Sequence, residues 1–157
     1  MKKSVTLLVS GILLLSVAAC NNAQTTGEAP DSTKDEIKIP TAKDASEAKE
    51  DATSETRRNQ LNADIKAREE RNNALNDGTA KDRDDSDVAS EVRSKLEANL
   101  PASALVVDAK DGSVIISGTV STQEQYDKIA NLAKEIKGVQ SVDIKAAVAP
   151  AKPEKNN

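Results

Sequence analysis

Residues 104–120 read Ala104-Leu105-Val106-Val107-Asp108-Ala109-Lys110-Asp111-Gly112-Ser113-Val114-Ile115-Ile116-Ser117-Gly118-Thr119-Val120. Two β-type runs flank Asp111-Gly112, a pair suited to a type I′ turn because both central residues of that turn need positive φ. Folding on the turn sets Lys110 opposite Ser113, Ala109 opposite Val114, Val107 opposite Ile116 and Leu105 opposite Gly118. Strand alternation then gathers Leu105, Val107, Ala109, Val114, Ile116, Gly118 and Val120 on one face. The second face holds Val106, Asp108, Lys110, Ser113, Ile115, Ser117 and Thr119 and reads as mostly wet. Gly118 reads as the point where a helix comes close to the sheet.

Upstream, Val88, Val92 and Leu96 recur four apart, with Ala89 and Leu100 beside them, so a helix over 87–99 has one apolar stripe. Its other face carries Glu91, Arg93, Lys95 and Glu97, and Pro101 ends it. Downstream, Ser121-Thr122-Gln123-Glu124 has the form of a capping box. It opens a helix whose stripe is Tyr126, Ile129, Ala130, Ala133 and Ile136, with Lys134 and Lys137 near the negative end and Gly138 as a left-handed cap. Val142, Ile144, Ala146 and Val148 alternate as a last strand. The fold class is α+β, in the order α-β-β-α-β. A three-stranded mixed sheet is covered on one face by two helices, because the strand-helix-strand crossover makes the last strand parallel to the one before it.

The remainder of the chain divides by composition. Met1-Lys2-Lys3 followed by an apolar run to Ala19 reads as an export leader over 1–19, too short to span a bilayer comfortably. Residues 20–40 are polar with two prolines and read as a disordered linker. Residues 41–78 are rich in Ala, Glu, Lys, Arg, Asp and Asn and read as a charged helical spacer with ion pairs such as Asp64 with Arg68. Leu61, Ile65 and Leu75 lie at heptad-compatible spacing, but Arg68 and Asn72 interrupt the seam, so a solvated helix is expected rather than a coiled coil. Fully helical, it would hold the domain roughly 50 Å from the start of the chain. Residues 149–157 are expected to be a disordered tail.

Charge and chemistry exclude several function classes. The net charge is −4, 31% of residues are charged, and there is one Tyr with no Trp, Phe or His. A basic face for phosphates and aromatic pairs for stacking bases are both missing, so nucleic acid is not expected as a partner. No nucleophile sits beside a plausible base, so no catalytic residues and no cofactor are expected, and the protein is not read as an enzyme. Asp82 and Asp84 begin an alternating acidic pattern. An EF-hand loop would need Gly where Asp87 stands and Glu where Arg93 stands, so no metal site is expected and Ser86 or Asp87 is read as a helix cap.

Val17-Ala18-Ala19-Cys20 resembles the lipobox of bacterial lipoproteins. The resemblance implies that Cys20 carries acyl chains of the palmitate type and becomes the first residue after cleavage, and two or three chains give stable anchoring. Asn21 after the cysteine, rather than Asp, favours the outer membrane over the inner. Residues 84–148, with Gly118 in Ser117-Gly118-Thr119-Val120 and Gly138-Val139-Gln140-Ser141-Val142 opening the last strand, resemble the BON domain. That family occurs in exported bacterial proteins, including osmotic-shock proteins and outer-membrane lipoproteins, and is associated with phospholipid binding and envelope integrity. The runs Arg57-Arg58-Asn59-Gln60 and Arg68-Glu69-Glu70-Arg71-Asn72-Asn73 are similar to the helical lead-in of cyanobacterial BON lipoproteins.

The resemblances imply a lipid-anchored, periplasm-facing protein of the bacterial cell envelope whose domain binds phospholipid membranes and supports stress tolerance. Acidic residues outnumber basic ones between Arg83 and Val148, so overall attraction to anionic headgroups is not expected. Local contact would fall to Arg93 and Lys95 on the first helix or Lys128, Lys134 and Lys137 on the second. The alternative is a protein-protein interaction or self-association module in the envelope, motivated by Val106 and Ile115 on the wet face and by the open sheet edges.

Overall fold

In the computed structural model, residues 23–153 are described. The order is β1 (Ala23–Gln24), α1 (Ala42–Thr53), α2 (Glu55–Leu75), α3 (Asp85–Asn99), β2 (Ala104–Lys110), β3 (Ser113–Val120), α4 (Gln123–Lys134) and β4 (Ser141–Val148). The sheet runs β1-β2-β3-β4, with β1 and β3 antiparallel to β2 and β4 parallel to β3. This is the α+β class read from the sequence, with one strand more than expected.

The hairpin has the expected register, from Lys110 opposite Ser113 to Leu105 opposite Gly118. Asp111 and Gly112 both take positive φ, 50° and 80°, as the type I′ turn requires. Val88, Val92, Leu96 and Leu100 from the α3 segment meet Leu105, Val107, Val114, Ile116 and Val120 of the hairpin, and Ile129, Ala133 and Ile136 close the core. Each large aliphatic buried there contributes about 1.5–3 kcal/mol.

Gly118 does something other than admit a helix. Its φ is 126°, and a Cβ placed on it would lie 2.0 Å from the Ala104 carbonyl oxygen. The crowding neighbour is the paired strand β2, so the glycine is required by backbone against backbone.

The fourth strand comes from the stretch expected to be an unpaired linker. Ala23 and Gln24 pair with Val107 and Val106. Thr25 extends the attachment: its hydroxyl donates to the Ser103 carbonyl and accepts from the Leu105 amide, both at 2.9 Å. The Gln24 amide donates to the carbonyls of Ala29 and Pro30 at 3.1 and 2.8 Å, which turns the following loop across the outer face of the sheet. Thr26, Pro40 and Ala48 share a small crevice with Ala104. On the outer face of the hairpin, which was expected to be wet, Val106, Ser117 and Thr119 are buried, Ile115 is half-buried, and Asp108, Lys110 and Ser113 stay exposed. Lys152, expected in a disordered tail, bridges Thr41 and exchanges backbone hydrogen bonds with Pro40 and Ala42.

Helix boundaries also moved for identifiable reasons. Asp84, not Ser86 or Asp87, caps α3 by accepting from the Ser86 and Asp87 amides. Thr122, not Ser121, caps α4 by accepting from the Gln125 amide, and the Gln125 side chain takes the Ser121 amide. Ser54 ends α1 and caps α2 at once. Its extended backbone breaks what composition suggests is one helix.

Candidate functional site

α2 was expected to stand in solvent and does not. Arg57, Leu61, Asp64, Arg68 and Asn72 recur at spacings of four, three, four and four, a heptad-like seam in which only Leu61 is apolar. At 100° per residue, Asp87, Ser94 and Glu97 occupy the flank of α3 opposite to Val88, Val92 and Leu96. All three are buried, which a helix covered on one side only would not allow. α2 runs antiparallel along that flank and supplies the partners.

Glu97 receives Arg57 in a bidentate pair, Nε to Oε1 at 2.5 Å and Nη2 to Oε2 at 3.1 Å. Asp64 accepts from the Ser94 hydroxyl at 2.8 Å, Arg93 at 3.3 Å and Arg68 at 3.0 Å. One oxygen of Asp87 accepts from both Arg68 and Arg71, at 2.6 and 2.8 Å. Leu61, 1% exposed, is the apolar peg of an otherwise ionic seam. Buried carboxylates require such partners because desolvation without them costs several kcal/mol each.

A second buried pair lies at the middle of α3. Arg83 sends two guanidinium nitrogens to Glu91, at 2.5 and 3.2 Å, and one of them also to the Lys137 carbonyl at 2.6 Å. Their side chains are 3% and 0% exposed. Burial pushes the Glu91 carboxyl above the usual carboxylate range while Arg83 pulls it down. The arginine stem packs against Gly138, where a Cβ would meet it at 3.0 Å. Gly138, with φ at 98°, therefore shapes the turn after α4 and leaves room for Arg83. Glu91 and Glu97, expected on a solvated face, are both interior.

Three of the four aspartates in the run 82–87 have structural partners. Asp84 is the cap, and hydrogen bonds from the Ser86 hydroxyl and then from the Asp87 and Ser86 amides hold its carboxyl below the usual range. Asp85 accepts from the Asp111 amide at 2.8 Å, tying α3 to the hairpin turn. Asp87 takes the two arginines. Among the described residues no group of three or more potential ligands is placed to hold a metal ion.

The five cations singled out from the sequence do not converge. Arg93 lies inside the seam between α2 and α3. Lys95 pairs with Glu135 at 2.6 Å and Lys128 with Glu124 at 2.6 Å. Lys137 donates to the Gly78 carbonyl at 3.1 Å. Lys134 is exposed and has no ion pair among the described residues. Val106 is fully buried and cannot contact a ligand, whereas Ile115 is half-buried on the open part of the outer face. Cys20 lies outside the described residues.

A broad cleft of about 550 Å³ opens between the loop after β1 and α1, lined by Thr26, Glu28, Asp44, Glu47, Asp51 and Arg57 among others. Four carboxylates against one guanidinium give it an acidic wall, unsuited to a phosphate. The sequence signal for the seam was present in the four-and-three spacing, but it is visible only if arginine and aspartate are admitted at seam positions.

Comparison with known proteins bears on the part of the chain that α3, the hairpin, α4 and β4 build. A BON domain is found at residues 84–150. Osmotically-inducible protein Y of Escherichia coli (strain K12) is 40% identical over 60 residues, covering 37% of this chain. The aligned part is 30% of that protein's length, so the likeness concerns the BON domain and not the whole of either chain. The BON domain holds the full core of α3, the hairpin, α4 and β4. The α2 seam and β1 lie upstream of it.

Proposed function

We propose that this is a non-enzymatic, lipid-anchored protein of the bacterial cell envelope, whose BON domain lies against phospholipid and supports the envelope under osmotic stress. The observation that carries the reading is the docking of Ala23 and Gln24 on β2. The lipobox cysteine precedes Ala23 by three residues, and three residues span no more than about 11 Å. Acylated at Cys20, the chain would hold the BON domain against the bilayer surface rather than roughly 50 Å above it, since α2 folds back on α3 instead of extending. The BON match and the osmotic induction in the relative's name favour the same reading. Among the described residues no helix is long and apolar enough to cross a membrane.

The test separates anchoring at Cys20 from docking by the domain. Fractionation of cells making the wild-type chain or Cys20→Ala should find the first with membranes and the second released. Purified Cys20→Ala chain is then sedimented with phosphatidylethanolamine vesicles, with and without phosphatidylglycerol. Co-sedimentation supports docking by the domain itself, and failure to bind either vesicle rejects it while leaving the anchor intact.

A further inference from the structure

β4 is an unfinished edge. The sheet ends at β1 on one side with two residues and at β4 on the other with eight. Exposed edge strands are usually kept short, broken by proline or a bulge, or given an inward charge. β4 has none of these, and only the outward charges Asp143 and Lys145 guard it: its register with β3 is unbroken from Ser141 to Val148, it has no proline, and its inward positions are Val142, Ile144, Ala146 and Val148. The first three are only partly covered by the core and Val148 is 40% exposed.

We propose that β4 pairs antiparallel with β4 of a second copy about a two-fold axis at Ile144. In that register Asp143 stands opposite Lys145 of the second copy, and Lys145 opposite its Asp143, so the two outward charges are matched twice. Within one copy the two lie 3.9 Å apart as a loose pair along the strand, with side chains 60% and 49% exposed, and the contact between copies exchanges that pair for two across the seam. On the inward face Val142 meets Ala146 and Ile144 meets its own copy, extending the apolar layer across the seam. Neighbouring registers fail. Centring on Asp143 or on Lys145 sets that charge against itself, and a half-step between residues brings inward side chains opposite outward ones. The contact is isologous and closes at two copies. An axis that pairs antiparallel strands stands normal to the sheet, so both copies turn the same face to the same side.

The test uses full-length chains carrying two different tags, co-expressed, solubilised in a mild non-ionic detergent and captured on one tag. Working without a bilayer makes the result independent of membrane docking. Wild-type copies should co-capture. Asp143→Lys alone sets lysines opposite lysines, and Lys145→Asp alone sets aspartates opposite aspartates, so either by itself should lose about tenfold or more of the co-capture. Asp143→Lys mixed with Lys145→Asp restores opposite charges at both positions, and so does the double exchange in one chain; both should recover wild-type co-capture. Absence of wild-type co-capture, retention in the single variants, or failure of the mixed pair to recover would each overturn the pairing.

Discussion

Arg57 and Glu97, forty residues apart in the chain, form a bidentate ion pair in which the carboxylate is 3% exposed and the guanidinium 31%. With Leu61 beside it, this contact fastens the first half of α2 to the C-terminal half of α3. The upstream helix is thereby part of the folded body.

Arg57→Ala leaves Glu97 buried with only Arg93 at 3.3 Å. The expected loss is about 2–3 kcal/mol, read as a fall in the urea midpoint. Arg57→Lys should recover only part of it, because an ammonium cannot reproduce the two parallel hydrogen bonds. Equal stability of the alanine variant and wild type would show that the pair carries no weight.

Leu61→Ala removes the apolar peg of the seam and should cost about 2–4 kcal/mol. The loss is expected to be local. Hydrogen exchange should speed up in the amides of α2 while the amides of β3 keep their protection.

An ionic seam should respond to salt where an aliphatic core does not. Raising sodium chloride from about 0.05 to 0.5 M shortens the screening length to a few ångströms. Exchange from α2 is then expected to rise several-fold relative to β3, led by the more exposed Arg71 side of the Asp87 cluster. Identical salt dependence in the two elements would contradict an ionic attachment.

Gly118→Ala combines a φ of 126° with a Cβ 2.0 Å from the Ala104 carbonyl oxygen. Either the hairpin shifts or the chain fails to fold, and a loss above about 3 kcal/mol is expected in thermal or urea unfolding. Gly27→Ala, whose Cβ would meet nothing within 4 Å, serves as the control and should unfold like wild type.

The α3 cap sets a pH dependence with a definite sign. The folded state holds the Asp84 carboxyl below its ordinary value of 3.8, so the cap's contribution is present above that value and is lost as pH falls through the lowered one. Asp84→Asn keeps an acceptor for the amides but has no carboxyl to protonate. Its unfolding profile should be flatter than wild type on the acid side of about pH 4, and Asp84→Ala should lose about 1 kcal/mol near neutral pH.

How much was legible in the sequence follows from how far each interaction reaches. The hairpin register needs only the Asp111-Gly112 turn and strand alternation, and both were read correctly. The stripes of α3 and α4 were legible for the same reason, since 3.6-residue periodicity is a property of one helix at a time. Caps were less so, because Asp84, Ser86 and Asp87 are all competent at the start of α3 and packing chose among them. Of the candidate contact residues, Val106 was misplaced because nothing local shows that Gln24 and its loop cover it.

By itself the sequence determined the α+β class, the hairpin, the apolar faces of the two core helices and the order of the strands, all of which are written in nearest-neighbour and helical-period patterns. Only the tertiary structure decided that α2 lies on α3, that β1 closes one sheet edge and that β4 leaves the other open. Those outcomes depend on charges and backbone groups finding partners tens of residues away. The physical reason is that an arginine at a seam position reads as solvated until a buried carboxylate is seen to face it.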